Sequence, residues 1–283
     1  MEKIAVLVDS CCDLPKEYLE KSGIYELPMQ ITYHDRTYLD RVEISAQEVY
    51  DNLSVEIPKT SLPSGESIQK TLDKIAADGF THIISISVSS GLSGTFNFLK
   101  VFLEDDDRFT TAYYDTKQVA VAAGLIAVGA KNLIDDGKSF AEVKIQVEKM
   151  IDNTIVYFCI PTLTYLRAGG RISATAAAVG GMLKLAPIIT CKADGSYTIA
   201  AKARGMKKGQ KMLLGFAQDF LADGAQDYLV AVGHGADEVG GQKMLDLLHE
   251  NGIKGQQEFL GQVGPALGVH TGPGLIGIGM VKI

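Results

Sequence analysis

Short runs of apolar residues recur along the chain, each followed by a longer amphipathic stretch. No other feature narrows the fold as much. IAVLVDS (4–10), HIISISVS (82–89) and TTAYYDT (110–116) read as strands. KQVAVAAGLIAVGAKNLIDDG (117–137) and SFAEVKIQVEKMIDN (139–153) have helical spacing, with Asp115, Thr116 and Ser139 placed to cap them. TIVYFCI (154–160) closes this half. Strands alternating with helices predict a mostly parallel sheet covered on both faces.

The second half is punctuated differently. PTLTYLRAGGRISATAAAVGGMLKLAP (161–187) reads as helical but is rich in Gly and Ala. PIITCKADGSYTIAAKA (187–203) reads as a hairpin turning at Asp194-Gly195. KKGQKMLLGFAQDFLADG (207–224) and ADEVGGQKMLDLLHENG (236–252) read as helices around a strand, YLVAVGHG (228–235), and LIGIGMVKI (275–283) as a last strand. The expected fold class is α/β, as two α/β domains, 1–160 and 161–283, with segment 57–67 packed against the second. No low-complexity linker separates them, and a tight junction favours a ligand cleft between domains.

A chain of 283 residues suits one large or two medium domains. Its formal charge of −7 argues against nucleic acid as the main partner. The charge is uneven: residues 161–283 hold 12 Lys and Arg against 9 Asp and Glu, and residues 1–160 hold 15 against 25. Lys184, Lys192, Lys202, Arg204, Lys207, Lys208 and Lys211 form a basic strip opposed only by Asp194. Charge runs are usually a solvated face, but on an acidic protein this strip also suits an acidic partner. No apolar run reaches the ~18 residues of a spanning helix. The opening MEKIAVLVDS reads as a strand and not as an export signal, so a cytoplasmic location is expected. Cys11, Cys12, Cys159 and Cys191 form no C-x-x-C pair and have no His at zinc-ligand spacing. Reduced thiols and no metal are expected.

Standard nucleotide loops are absent: GADEVGGQK (235–243) displaces the lysine of a phosphate loop, and GHGADEVG fails at its third glycine. GLSGT (91–95) is one residue short of the hydrolase elbow G-x-S-x-G. His234 or His270, with Asp227 or Asp237, could complete a triad around Ser93. A capped helix start at Ser90 or Ser93 explains one hydroxyl, but not four between Ser87 and Ser93. PKTSLPSGES (58–67) is a second hydroxyl cluster, and Pro58 and Pro63 predict an irregular segment. LRAGGRIS (166–173) sets Arg167 and Arg171 around a Gly pair, and GVHTGPG (268–274) reads as a glycine-rich turn presenting His270 and Thr271 at a strand mouth.

DSCCDLP (9–15), KTSLPS (59–64), SVSSGLSGT (87–95), YLRAGGRIS (165–173) and HTGPG (270–274) occur in this order across the whole chain. Together they resemble the DegV family of bacterial fatty-acid-binding proteins. Cys11 and Cys12 stand where the family usually has small hydroxyl residues. The resemblance implies a two-domain α/β fold with a long-chain fatty acid held between the domains, and no cofactor. It implies a carrier and not an enzyme: a separate ATP-dependent fatty acid kinase would convert the bound acid to an acyl phosphate for phospholipid synthesis. Carried over residue by residue, it places Thr60 and Ser93 on the carboxylate, with Ser61, Gly94 and His270 as further contacts. Arg171 and Arg204 match arginines associated with kinase docking.

The physics fits that role. Each buried methylene is worth ~0.8 kcal/mol, so a C16 tail offers on the order of 11 kcal/mol. The headgroup then needs orientation more than strength, which hydroxyls and backbone N–H groups supply without burying a fixed cation. The small residues of 172–190, Ala177 among them, suit either close helix packing or an acyl-chain lining. Two other readings stay open: a serine hydrolase of acyl esters using Ser93 and His270, and a lipid sensor without a kinase.

Overall fold

The computed structural model describes residues 2–172 and 185–283. Two sheets carry the fold. The first is wholly parallel, in the order β2 (Tyr25–Leu27), β1 (Ile4–Asp9), β6 (His82–Ser87), β7 (Thr110–Asp115). The second has six strands: β10 (Tyr197–Ala203), β9 (Ala186–Cys191), β8 (Thr154–Cys159), β13 (Ile276–Lys282), β11 (Tyr228–His234), β12 (Glu258–Gln262). Its pairs are antiparallel except β11–β12. A small antiparallel sheet joins β4 (Thr37–Leu39), β3 (Gln30–Thr32) and β5 (Lys59–Ser61). The mixed α/β class follows the sequence reading. One strand does not: β8, read as closing the N-terminal half, is hydrogen-bonded between β9 and β13 in the second sheet.

The helices are α1 (Lys16–Ser22), α2 (Ala46–Asn52), α3 (Gly65–Ala77), α4 (Thr95–Glu104), α5 (Val121–Asp135), α6 (Phe140–Asp152), α7 (Thr164–Ala168), α8 (Met206–Phe220), α9 (Glu238–Glu250) and α10 (Pro265–Thr271). Helix α5 is buried on every side from Val121 to Ala130, as its unbroken apolar sequence requires. It packs Ala123, Ile126 and Ala127 among Val6, Val8, Ile84 and Ile86 of the first sheet and Leu229, Ala231 and Val281 of the second. Small residues make this possible: a Cβ on Gly124 would lie 2.4 Å from the Cys12 carbonyl oxygen, and one on Gly279 2.9 Å from the Ala122 nitrogen. Ser139 caps α6 in a reciprocal box with Glu142, as its sequence position suggests. Among the described residues, no helix is long and apolar enough to cross a membrane.

Several local expectations are corrected. Helix α5 starts at Val121 and not at 117, because Lys117 and Ala120 take positive φ. The helix expected over 161–187 ends at Ala168, and β9 begins at Ala186; residues 173–184 of that stretch, including Ala177 and Lys184, lie outside the described residues. The segment between Pro58 and Pro63 is not irregular. Lys59–Ser61 pairs with β3 as an edge strand, and both prolines fall outside the ladder. The glycine-rich turn expected around His270 is the last turn of α10, a helix buried throughout.

The β9–β10 hairpin turns at Gly195, with φ 78°, and docks on the serine-rich loop after β6. Ser89 Oγ donates to the Gly195 carbonyl at 2.9 Å. A Cβ on Gly91 would meet the backbone of Gly195 and Ser196 at 2.6 Å. Backbone cannot yield as a flexible side chain does, so Gly91→Ala is expected to cost about 1–3 kcal/mol. Thermal unfolding reads that loss, and faster amide exchange at residues 192–196 locates it.

Candidate functional site

The serine-rich loop leaves β6 under close control. Asp9, at the end of β1, accepts from the Val88 nitrogen at 2.8 Å and the Cys11 nitrogen at 3.0 Å. Leu92 and Ser93 nitrogens return to the Ser89 carbonyl at 3.0 and 3.1 Å, closing a turn before α4. Ser93 Oγ sits 2.8 Å from Thr95 Oγ1 and accepts from the Thr95 nitrogen at 3.3 Å. The N-cap of α4 is Gly94, so the Ser93 hydroxyl stands just outside the helix.

Edge strand β5 and helix α10 complete the site. Thr60 Oγ1 and His270 Nε2 share a hydrogen bond of 2.8 Å across 210 residues of sequence. Thr60, Ser61, Ser93, Gly94, His270 and Arg171 all line one cavity of about 210 Å³, with Cys11, Met29, Leu92 and Leu267 among its apolar walls. Strand β5 of segment 57–67 thereby meets α10. Val119, Tyr197 and Leu267 are shared with an adjoining narrow slot of about 20 Å³. Val121, Val156, Phe158, Val263 and Ile278 wall that slot, between the start of α5 and the second sheet. Ala120, which also lines it, is held at φ 55°, ψ −146°. That conformation costs a non-glycine residue of order 1–3 kcal/mol. Strain is thus stored next to Val119, one of the residues that the polar chamber and the apolar slot share.

Charge in the chamber is sparse. Burial, then the Arg171 charge, lowers His270 to about 4, so its ring is neutral near pH 7. Burial, with Asp9 and Asp40 behind it, pushes the Cys11 thiol well up, so it too is neutral. Arg171 is the exception. The resemblance pairs it with Arg204 as a docking arginine; in the fold it lines the chamber, with Nη1 donating to the Gly169 carbonyl at 2.6 Å. Arg204 is exposed just past β10. The sequence also missed Met29, whose neighbours carry no hydroxyl or glycine cluster, and Tyr197, whose flanking Gly195, Ser196 and Thr198 read only as a hairpin turn.

A triad is not assembled. Ser93 Oγ is engaged with Thr95 and His270 Nε2 with Thr60, while His270 Nδ1 has no partner among the described residues to orient the ring. Asp237 caps α9 through the Gly240 nitrogen, and Asp227 accepts from Gln256.

A family model described as "Uncharacterised protein, DegV family" matches residues 3–282. The chain belongs to the DegV family. A DegV domain-containing protein of Clostridium acetobutylicum is 38% identical over 283 residues, covering 100% of both chains. Among solved structures, a DegV family protein from Thermus thermophilus, described by its fatty acid binding, superposes with TM-score 0.90 at 27% identity, covering 99% of this chain and 100% of that one. A stearic acid-binding protein from Eubacterium ventriosum superposes with TM-score 0.88 at 30% identity, covering 100% and 98%. In this DegV chain the five sequence motifs meet at one place. DSCCDLP supports the serine loop and supplies Cys11, and KTSLPS, SVSSGLSGT, YLRAGGRIS and HTGPG supply Thr60, Ser93, Arg171 and His270.

Proposed function

We propose that this protein binds one long-chain fatty acid, with the carboxylate at Thr60, Ser93 and His270 and the tail running along the chamber's apolar walls toward the adjoining slot, and presents it to a separate ATP-dependent fatty acid kinase. One observation carries the ligand reading: hydroxyls from two distant segments and an imidazole from a third converge on a chamber that shares Val119, Tyr197 and Leu267 with an adjoining apolar slot. A carboxylate needs several donors, and hydroxyls, imidazole N–H and Arg171 can supply them. The tail needs only to leave water. The solved relatives described as fatty acid binders support the same ligand class. The Ser93–His270 hydrolase reading has no base–nucleophile contact to support it.

The kinase reading rests on the family resemblance and on charge. Lys202, Arg204, Lys207, Lys208 and Lys211 are all exposed. Basic groups there would steer an acidic partner and offset phosphate charge. The test is delipidated protein with stearic acid, ATP and a bacterial fatty acid kinase, read as acyl phosphate formed. Arg204→Ala is expected to bind stearic acid normally but to lose transfer. Arg171→Ala is expected to weaken both, and wild-type transfer to fall as salt rises. Unchanged transfer by Arg204→Ala returns Arg204 to a solvated surface. Absence of transfer in every protein, with stearic acid bound, leaves the sensor reading in place of the carrier.

A further inference from the structure

Helix α10, which brings His270, Ala266 and Leu267 to the chamber, is held at its start by two buried carboxyl groups. Asp13 Oδ1 accepts from the Gly264 nitrogen at 3.0 Å, and Asp40 Oδ1 from the Ala266 nitrogen at 3.1 Å. Asp40 Oδ2 also receives the Ser10 hydroxyl at 2.5 Å, and Ser10 Oγ accepts from Met29, a chamber residue, at 3.0 Å. Asp13 is 5% exposed, takes φ 50°, and its buried Oδ2 has no partner among the described residues.

The surroundings are short of cations. Cys11 and Cys12 face Asp13 from the turn after β1, Glu26 from β2, Asp40 and Arg41 from the segment after β4, Tyr50 from α2 and Tyr197 from β10. Arg41 is committed elsewhere: Nη1 donates to Glu26 at 2.9 Å and Nη2 to the Leu14 carbonyl at 2.5 Å. Lys16 faces Glu26. An ionised Asp13 would therefore be a buried charge with one hydrogen bond and no ion pair of its own, which is costly. Its relief lies next door, in an open groove of about 790 Å³ lined by Asp13, Lys16, Arg41, Gln262, Gly264 and Pro265. The Gly264 turn lines the same groove and is hydrogen-bonded to Asp13.

We propose that Asp13 and Asp40 are positioning residues for the headgroup chamber, and that Asp13 serves only as a neutral carboxylic acid: losing its proton releases the Gly264 turn, and with it the His270–Thr60 contact. The ligand arm of this proposal rests on the fatty-acid reading above. Electrostatics agree with the geometry. Burial raises Asp13 to about 8 against the opposing pull of Arg41, and raises Glu26 to about 7 and Asp9 and Asp40 to about 6. A carboxyl raised in the folded state adds stability at low pH that is lost as pH rises through about 8.

The test compares wild type with Asp13→Asn, which keeps the acceptor for Gly264, tolerates positive φ and cannot ionise. Between pH 7 and 9 the wild-type affinity for stearic acid is expected to fall about tenfold, following the neutral fraction of a group titrating near 8; the variant's affinity stays flat. Without ligand, the wild-type Tm falls more than the variant's between pH 6 and 9. Parallel profiles overturn the proposal. If neither protein binds stearic acid at any pH, the fatty-acid reading fails, and the ligand-free Tm difference alone decides whether the latch exists. Should the variant not fold, the 13Cγ resonance of Asp13 in the native protein decides: a midpoint between pH 7 and 9 supports the latch, and a carboxyl already ionised at pH 5 overturns it.

Discussion

Ser93→Ala is expected to weaken stearic acid binding by about ten- to a hundredfold, the cost of one hydrogen bond to a charged group. Thr60→Ala should do the same for the opposite side of the chamber. It also frees His270 Nε2, whose ring already has an unpartnered Nδ1. Neither side chain is fully buried, so neither change should lower the unfolding temperature by more than a degree or two. Calorimetric titration of delipidated protein gives the affinity and differential scanning the stability. Wild-type affinity in both variants would remove these hydroxyls from the carboxylate.

Gly124→Ala should be the most destabilising single change considered. In an exposed helix the same replacement stabilises by about 0.5–1 kcal/mol. Here the new Cβ would stand 2.4 Å from the Cys12 carbonyl and 2.9 Å from Leu14. Helix α5 lies between two sheets and cannot retreat. Overpacking against backbone outweighs propensity, and a loss of about 3 kcal/mol, or on the order of 5–10 °C in Tm, is expected. Gly215→Ala in α8 is the control. Nothing lies within 4 Å of its added methyl, so it should raise Tm slightly. A stable Gly124→Ala would mean that the packing of α5 between the sheets is looser than described.

What could be read from sequence followed the strength of local signals. Strands β1, β6, β8, β11 and β13 were legible because buried strands are nearly continuous apolar runs. Thr60 and Ser93 were singled out by the resemblance of KTSLPS and SVSSGLSGT to the family's motifs, since hydroxyl clusters by themselves also suit turns and helix caps. Helix α10 was not: seven buried residues with glycines at 264, 268 and 272 show no apolar period. The start of α5 was misplaced because KQVA continues the helical pattern, while tertiary contacts impose positive φ on Lys117 and Ala120. Ser89 takes the Gln118 carbonyl there at 2.9 Å. Arg171 could not be placed, since LRAGGRIS looks the same whether its second arginine faces solvent or a cavity. Asp40 lies in a stretch without glycine or hydroxyl punctuation, and its role comes only from pairing with Ser10 and Ala266.

The most direct test of the central claim is mass spectrometry of the purified protein, first native and then denatured, with the released lipid identified. The account predicts a free, non-covalent long-chain fatty acid at close to one per chain, lost in proportion to affinity in Ser93→Ala. A covalent acyl group on Ser93, or a protein that neither carries fatty acid nor takes it up when stearic acid is supplied, would contradict it.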